Sequence, residues 1–271
     1  MENKAADGVM MGRDRWVALN TTEPFGINIQ MGRIAPFPPM ELMRNVSGLT
    51  VEADFAAHGA VIYTALERAS PVDITKYQSV LDFGCGCGRL ARYLKGHPGI
   101  IAGCDLDPSH VQWINNNLPY MQAELTKPNK SLPFQAAQFD CVISISVFTH
   151  MDEHSQFFYL SELVRCTAPG AYLFLTVHGA RAMTRAQHEK MIFDMLEIPQ
   201  TELEAASNKM QKAQHAFILQ NGHLTSSEYA YGITFLSADY IHKAWSAYFE
   251  IEAIISGAIH DFQDIVVCRR V

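Results

Sequence analysis

Apolar runs and helix-forming segments alternate between Ser79 and His178, and this alternation is the feature of the sequence that most constrains the fold. Strands that alternate with helices predict a parallel sheet whose crossovers are right-handed. Asp107, followed by Pro108, and Asp152 are suited to cap two of the helices. The predicted strands are "SVLDF", "IIAGCDL", "YMQAEL", "DCVISIS" and "AYLFLTVH", and the predicted helices are "RLARYLKG", "SHVQWINNNL" and "EHSQFFYLSELVRC". The chain is therefore predicted to have an α/β fold.

The segments around this alternation divide the chain into four predicted regions. Residues 1–78 form an N-terminal arm and helices that cover the ligand site, and "EADFAAHGAVIYTALERAS" within them has the spacing of an amphipathic helix. Residues 79–179 hold the ligand-binding core. Residues 180–232 are predicted to be a helical insertion, without any strand, that acts as a lid. Residues 233–271 complete the sheet with two strands, and their short link, 257–263, permits antiparallel pairing but no parallel crossover.

Composition and charge exclude several classes of function. The chain has 271 residues, of which 48% are hydrophobic and 18% are charged, as expected for a packed core. The net charge is −7 and no block of Lys and Arg is present, so no nucleic-acid partner is expected. No apolar run is long enough for a membrane span, and the N-terminus lacks a secretory signal. We therefore expect a cytoplasmic protein with reduced cysteines and no membrane contact; its oligomeric state stays open, with a homodimer among the options.

A glycine-rich turn follows the first predicted strand, at the usual ligand crevice of open α/β sheets. Its pattern, Asp82-x-Gly84-x-Gly86-x-Gly88, has Arg89 where a dinucleotide fingerprint needs its third glycine, and no P-loop motif exists. Asp105 ends the second predicted strand, where an acid accepts hydrogen bonds from ribose hydroxyls. The pattern therefore predicts a ligand that has a ribose but no diphosphate.

Four segments together resemble the class I S-adenosylmethionine-dependent methyltransferases. "VLDFGCGCGRLARYL" is similar to their first motif, "GCDLDPSHV" to the second, "LPFQAAQFDCVISISVFTHM" to the stretch through strand four, and "ELVRCTAPGAYLFLTVHG" to the stretch through strand five. The ending "FEIEAIISGAIHDFQDIVVCRR" resembles their final strand pair. The resemblance implies a Rossmann-like, doubly wound, seven-stranded sheet that is mostly parallel and has an antiparallel last strand. It also implies S-adenosylmethionine as the cofactor.

The resemblance further assigns cofactor-binding roles to residues of this chain. Asp82 and the backbone of Gly84, Cys85 and Gly86 would surround the methionine portion, with Gly88 completing the turn. Asp105 would bind the ribose hydroxyls, and Leu106 would lie on the adenine face. Glu124 and Leu125 would border the adenine edge, and Ser144 and Ile145 would sit near the sulfonium. Arg89 would either touch a cofactor carboxylate or open the next helix with its side chain in solvent.

The acceptor side offers fewer signals. His150 and His178 follow the fourth and fifth predicted strands, and either imidazole could act as a general base; packing and a backbone hydrogen bond are the alternative. Tyr229, Tyr231 and Trp245 are candidates for the wall of an acceptor pocket, with aromatic core packing as the alternative. The two cysteines of "CGC" lack a second Cys/His pair, so no metal is expected.

The absence of several motifs reduces the number of methyl acceptors that are expected. The sequence lacks the [ND]-P-P-[YFW] motif of nucleobase amine methylation, the Pro-Cys nucleophile of carbon-5 methylation, and an acid at the end of strand four for metal-dependent catechol methylation. Thr149, rather than the glutamate of cyclopropane-forming relatives, precedes His150. The predicted function is methyl transfer to a small-molecule acceptor, at a hydroxyl or carboxylate oxygen of a secondary metabolite or sugar. The alternatives are methylation of nitrogen, sulfur or carbon in a small metabolite, and a non-catalytic cofactor-binding protein that acts through a partner.

Overall fold

The computed structural model describes residues 2–4, 10–12, 17, 20, 34–220 and 230–271. The chain divides into two compact units, Met1–Thr126 and Lys127–Val271. The four predicted domain boundaries, which follow motifs rather than compactness, stay predictions.

The first unit contains five strands and three α-helices among its described residues. They are β1 (Glu2–Lys4), β2 (Met10–Gly12), α1 (Met40–Ser47), α2 (Glu52–Ala69), β3 (Ser79–Phe83), β4 (Ile100–Asp105), α3 (Pro108–Asn117) and β5 (Gln122–Leu125). β3, β4 and β5 are parallel, so their carboxyl ends lie at one edge. Asp107 caps α3 by accepting a hydrogen bond from the Ser109 amide at 2.7 Å, and Pro108 occupies the first turn, as predicted.

The helix predicted for "RLARYLKG" is wrong in extent, because the structure has only a 3₁₀ helix, Ala91–Leu94, in this stretch. Gly86 and Gly88 have φ of 51° and 84°, and Gly96 has φ of 83°. A right-handed helix cannot pass through residues in the left-handed region. The glycines that shape the turn therefore leave little chain for a helix.

The second unit contains the remaining elements. They are β6 (Phe139–Ser144), α4 (Glu153–Cys166), β7 (Thr167–His178), α5 (Ala180–His188), α6 (Lys190–Leu196), α7 (Gln200–Gln211), β8 (Ala216–Leu219), β9 (Gly232–Phe235), α8 (Ala238–Trp245), β10 (Glu250–Ile259) and β11 (Gln263–Arg269). β6 and β7 are parallel, whereas β11 is antiparallel to both β7 and β10. This confirms the antiparallel last strand. The link between β10 and β11 is shorter than predicted, because β10 continues past Gly257 to Ile259.

The insertion differs from its prediction as a purely helical segment. Three helices are followed by β8, which pairs antiparallel with β9, and Phe235 of β9 lies beside His178 of β7. A strand of four residues is too short to show a clear alternation, and its pairing partner lies beyond residues 221–229, which are outside the described residues. The helices bury a cluster around Leu203, Ala206 and Met210 against Ala216 and Ile218 of β8. Whether the residues of β8 form a strand therefore depends on their packing against residues that are distant in the sequence.

Candidate cofactor and acceptor sites

The glycine turn of the first unit is bound to the end of β4. The Gly84 and Cys85 amides donate to the Cys104 carbonyl at 2.9 and 3.0 Å, and the Gly88 amide donates to the Cys85 carbonyl at 3.0 Å. A Cβ on Gly86 would lie 2.7 Å from Cγ2 of Val46 in α1, in addition to the strain of a positive φ. Glycine is therefore required at 86 both by the conformation and by the packing of α1.

Asp105 connects the end of β4 to this turn. Its Oδ2 accepts a hydrogen bond from the Gly86 amide at 2.7 Å, and its Oδ1 accepts from the Asp107 amide at 2.9 Å. The side chain keeps 16% of its surface exposed. A carboxylate has about four lone-pair sites, so acceptor capacity remains after these two bonds.

Asp82 is the buried acid of the turn. Its side chain belongs to a residue that is 2% exposed, and Oδ2 has no hydrogen-bond partner among the described residues. Burial raises the pKa of Asp82 to about 7, against the lowering effect of Arg89, and the charge of Asp105 adds to the rise. A buried carboxylate oxygen without a partner is costly unless a donor or a cation meets it. Asp82 is thus suited to receive a cationic group.

Arg89 is buried, so the interpretation that its side chain extends into solvent is wrong. Its Nη1 donates to Nδ1 of His58 at 3.3 Å, and burial lowers the pKa of the guanidinium to about 10. His58 lies on α2, which approaches closely because a Cβ on Gly59 would lie 2.8 Å from the Arg89 carbonyl oxygen. His58 was not predicted from the sequence, although Gly59, a glycine inside an amphipathic helix, was the available signal of such an approach.

The two cysteines of the turn are packing residues in the structure. Burial raises the pKa of the Cys85 thiol well above its usual range and that of Cys87 to about 12, so both are neutral thiols at physiological pH. Cys85 lies against Gly103 of β4, where a Cβ would meet its Sγ at 2.9 Å. In the described part of the chain, no cluster of three or more His, Cys, Asp or Glu residues could hold a metal ion.

The residues expected at the adenine lie at the carboxyl ends of β4 and β5. Leu106 and Glu124 are half-buried, and Leu125 is exposed to 49%. Glu124 accepts a hydrogen bond from Gln122 at 2.8 Å, and Leu125 is the register partner of Asp105. The structure thus brings these three residues to the strand edge that carries Asp105, and their contact with adenine stays a prediction.

The second unit carries the residues expected near the sulfonium. Ser144 and Ile145 are buried, and Ser144 Oγ has no hydrogen-bond partner among the described residues. Ser146, which follows them, has φ of 60° and donates its amide to Thr176 Oγ1 at 2.7 Å. The end of β6 is thus held in a strained turn, which is typical of functional sites.

The two predicted histidines lie together, with ring centroids 6.3 Å apart, but in different surroundings. His150 Nδ1 is 2.8 Å from the Gly232 carbonyl oxygen. A carbonyl only accepts, so Nδ1 carries the proton and Nε2 of the neutral ring keeps a lone pair. Tyr231 stacks on the His150 ring at 4.7 Å between centroids and 11° between planes. Tyr231 was predicted as a pocket residue, but its stacking on His150 was not predicted.

His178 is 3% exposed and lies between the rings of Phe235 and Phe262. Burial lowers the pKa of His178 to about 3, and the neighbouring His150 contributes to the fall. Trp245 is fully buried against Phe148 and belongs to the core, which was the alternative interpretation. Tyr229 lies outside the described residues.

Across the described segments, no helix combines the length and apolar character needed to cross a lipid bilayer.

Comparison with known proteins shows a similarity over the central part of the chain. Residues 81–175 match a family described as a methyltransferase domain. A probable chloroplastic tocopherol O-methyltransferase of Oryza sativa subsp. japonica is 36% identical over 107 residues, which are 37% of this chain and 29% of that protein. The chain spans less than half the length of the curated relatives it matches.

Two solved structures share the fold at low sequence identity. A protein of Pyrococcus horikoshii has a TM-score of 0.57 at 15% identity, over 80% of this chain and 92% of its own. An S-adenosylmethionine-dependent methyltransferase of Mesorhizobium loti has a TM-score of 0.52 at 14% identity, over 78% of this chain and 99% of its own. These likenesses confirm the predicted Rossmann-like α/β fold. Residues 81–175, which include the glycine turn and Asp105, are thus similar to a methyltransferase domain.

Proposed function

We propose that this protein transfers the methyl group of S-adenosylmethionine to an oxygen of a small-molecule acceptor. The observation that carries the proposal is the glycine turn, in which Asp105 is hydrogen-bonded to the Gly86 amide and a buried carboxylate oxygen of Asp82 has no partner among the described residues. The rice relative, whose name specifies an O-methyltransferase of a small molecule, supports the choice of oxygen over the part of the chain that it matches.

The residues of the turn fit the cofactor in charge and in shape. Asp82 would accept a hydrogen bond from the ammonium of the methionine portion, and Asp105 would accept from the ribose hydroxyls. The glycines remove the side chains that would keep the backbone away from the ligand. When bound, the cofactor supplies a sulfonium methyl group that is open to in-line attack. The protein's own task is alignment of the acceptor and exclusion of water.

The pKa of Asp82 predicts an unusual pH dependence of stability. The folded-state pKa of about 7 exceeds the ordinary value of 3.8, so the folded state holds a proton that the unfolded state has lost between these pH values. The contribution of Asp82 to stability therefore falls as the pH rises through this window, by at most about 4 kcal/mol. We expect the Asp82→Asn variant to match the wild type in urea unfolding at pH 4 and to be more stable at pH 8.

In the Asp82→Asn variant, stability and cofactor affinity should change in opposite directions at pH 8. Asp82→Asn removes the charge that meets the cationic cofactor, so calorimetry should show weaker binding of S-adenosylmethionine at pH 8, where the variant is the more stable protein. A loss of stability at pH 8, or unchanged cofactor affinity, would contradict the role of Asp82.

His150 is the better of the two candidate bases. The Nδ1–H bond to Gly232 fixes the tautomer in which Nε2 of His150 carries the lone pair, whereas the low pKa and burial of His178 deprive that ring of driving force for taking a proton. In the proposed reaction, the acceptor hydroxyl gives its proton to Nε2 of His150 while its oxygen forms the bond to the methyl carbon. The bound cofactor would supply the methyl group, and its sulfur would retain the electron pair of the broken carbon–sulfur bond.

A labelled methyl-transfer assay tests both the reaction and the base. The wild-type protein should transfer label from S-adenosylmethionine into a small molecule of an extract from the source organism, with release of S-adenosylhomocysteine. The His150→Asn variant keeps an amide donor for the Gly232 carbonyl but has no basic nitrogen, so we expect about a 100-fold lower rate with a hydroxyl acceptor. His178→Leu should change the free energy of unfolding, whereas the pH dependence of the rate should stay close to that of the wild type.

The outcomes separate the competing functions. Label in an amine, thiol or carbon product would select the alternative acceptor atoms, and wild-type rates in His150→Asn would remove His150 as a base. Binding of cofactor without transfer to any acceptor would favour the non-catalytic alternative. The cytoplasmic location, the homodimer and the absence of a nucleic-acid partner stay predictions.

A further inference from the structure

His110 lies in the first turn of α3, directly beside the acid proposed to bind ribose. Its Nδ1 is 3.5 Å from Oδ1 of Asp105, and its Nε2 is 3.9 Å from Oδ2 of Asp107. The residue is only 6% exposed, and neither ring nitrogen has a hydrogen-bond partner among the described residues. Burial of an imidazole without partners is unfavourable, so its position against two carboxylates requires an explanation.

The local sequence accounts for the placement of this ring. Asp107 caps α3 through its bond to the Ser109 amide, so the helix begins at Pro108. Side chains in a helix point back towards its N-terminus. The imidazole of His110 is therefore directed onto the cap and onto the end of β4, where Asp105 lies.

The other restraints on Asp105 come from the backbone. The Gly86 amide holds Oδ2 and the Asp107 amide holds Oδ1. Asp82 is the nearby acid that interacts with Asp105 through charge, and Cys85 and Cys87 are neutral thiols. The imidazole of His110 adds a side-chain hydrogen-bond donor 3.5 Å from Oδ1 of Asp105. A small movement would bring 3.5 Å within hydrogen-bond distance.

We infer that His110 is a positioning residue for ribose recognition, which orients the Asp105 carboxylate so that its remaining acceptor sites face the hydroxyls of the cofactor. The inference rests on the proposed use of S-adenosylmethionine. It makes a specific claim beyond cofactor binding, namely that His110 governs discrimination between a ribose and a deoxyribose, without touching the ligand itself. A side chain that only packs against α3 would influence all ligands of this site equally.

The test is calorimetric titration of the full chain with S-adenosylhomocysteine and with its 2′-deoxy and 3′-deoxy analogues. The variants are His110→Leu, which removes both ring nitrogens, and His110→Asn, whose amide nitrogen can replace the Nδ1 donor. We expect His110→Leu to bind S-adenosylhomocysteine about tenfold more weakly and to lose preference over at least one deoxy analogue by a similar factor. His110→Asn should regain most of that preference.

Each result that would contradict the role of His110 can be distinguished from a failure of the fold or of the proposed function. Equal weakening of all three ligands in His110→Leu, or an unchanged preference, would overturn the positioning role, and thermal unfolding of each variant would show whether the fold is intact. If His110→Leu does not fold, the failure of His110→Asn to keep the wild-type preference would overturn the inference by itself. A wild-type protein that binds none of the ligands would overturn the proposed function and, with it, this inference.

Discussion

Replacement of Asp105 by alanine is expected to weaken the binding of S-adenosylhomocysteine by roughly 100-fold to 1,000-fold. The carboxylate would lose its bonds to the ribose hydroxyls, and each hydrogen bond to a charged group is worth about 1.5–3 kcal/mol. The substitution also frees the Gly86 amide, which Asp105 holds at 2.7 Å in the structure. Isothermal titration calorimetry at low salt measures the change.

A matched variant separates the two effects. Asp105→Asn keeps an oxygen that can accept from the Gly86 or Asp107 amide, but it removes the negative charge and half of the acceptor capacity. Both its affinity and its unfolding free energy should lie between those of the wild type and Asp105→Ala, because the side-chain nitrogen of Asn cannot accept from the second backbone amide. Wild-type affinity in both variants would remove Asp105 from the ribose site.

Replacement of Gly86 by alanine should destabilise the protein by about 2–3 kcal/mol. The φ of 51° places a non-glycine residue in the left-handed region, at a cost of about 1–2 kcal/mol. The new Cβ would also lie 2.7 Å from Cγ2 of Val46, and β-branched side chains have little rotamer freedom with which to move aside. Urea unfolding without cofactor measures this cost apart from any loss of binding.

Two further variants divide this cost between conformation and contact. Gly48 has φ of 70° and open space around a Cβ, so Gly48→Ala measures the conformational cost alone. Val46→Ala removes the methyl groups that collide, so it should cost less stability in the Gly86→Ala background than it costs in the wild type. If Gly86→Ala lowers the free energy of unfolding by no more than Gly48→Ala does, the prediction that α1 packs closely on the turn is wrong.

The glycine turn contains two buried ionisable side chains of opposite charge type, whose burial is unfavourable without a ligand. Asp82 and Arg89 are both buried, and burial disfavours the charged form of each. A zwitterionic ligand portion would complement both charges at once, since it carries an ammonium and a carboxylate. Ionisable residues whose pKa values are strongly shifted by burial and by neighbouring charges are concentrated at functional sites. The arrangement is therefore consistent with the proposed cofactor site.

Local sequence signals determined many elements of both units. α4 begins after Asp152, as its cap predicted, and ends at Cys166 where the prediction placed it. The strands β3, β4 and β6 follow their apolar runs, and the antiparallel pair β10–β11 follows from the short link between them. These features depend on neighbours in the chain, because a cap, a periodicity or a tight link acts over a few residues.

The sequence by itself thus determined the fold class and the glycine turn, because strand–helix alternation and backbone-exposing glycines are features of consecutive residues. The tertiary structure decided which groups meet. It buried Arg89 against His58, paired β8 with β9, and gave His150 a proton-fixing partner while it enclosed His178 among aromatic rings. Burial and partnership depend on residues far apart in the chain, and they set the pKa and tautomer on which chemistry depends.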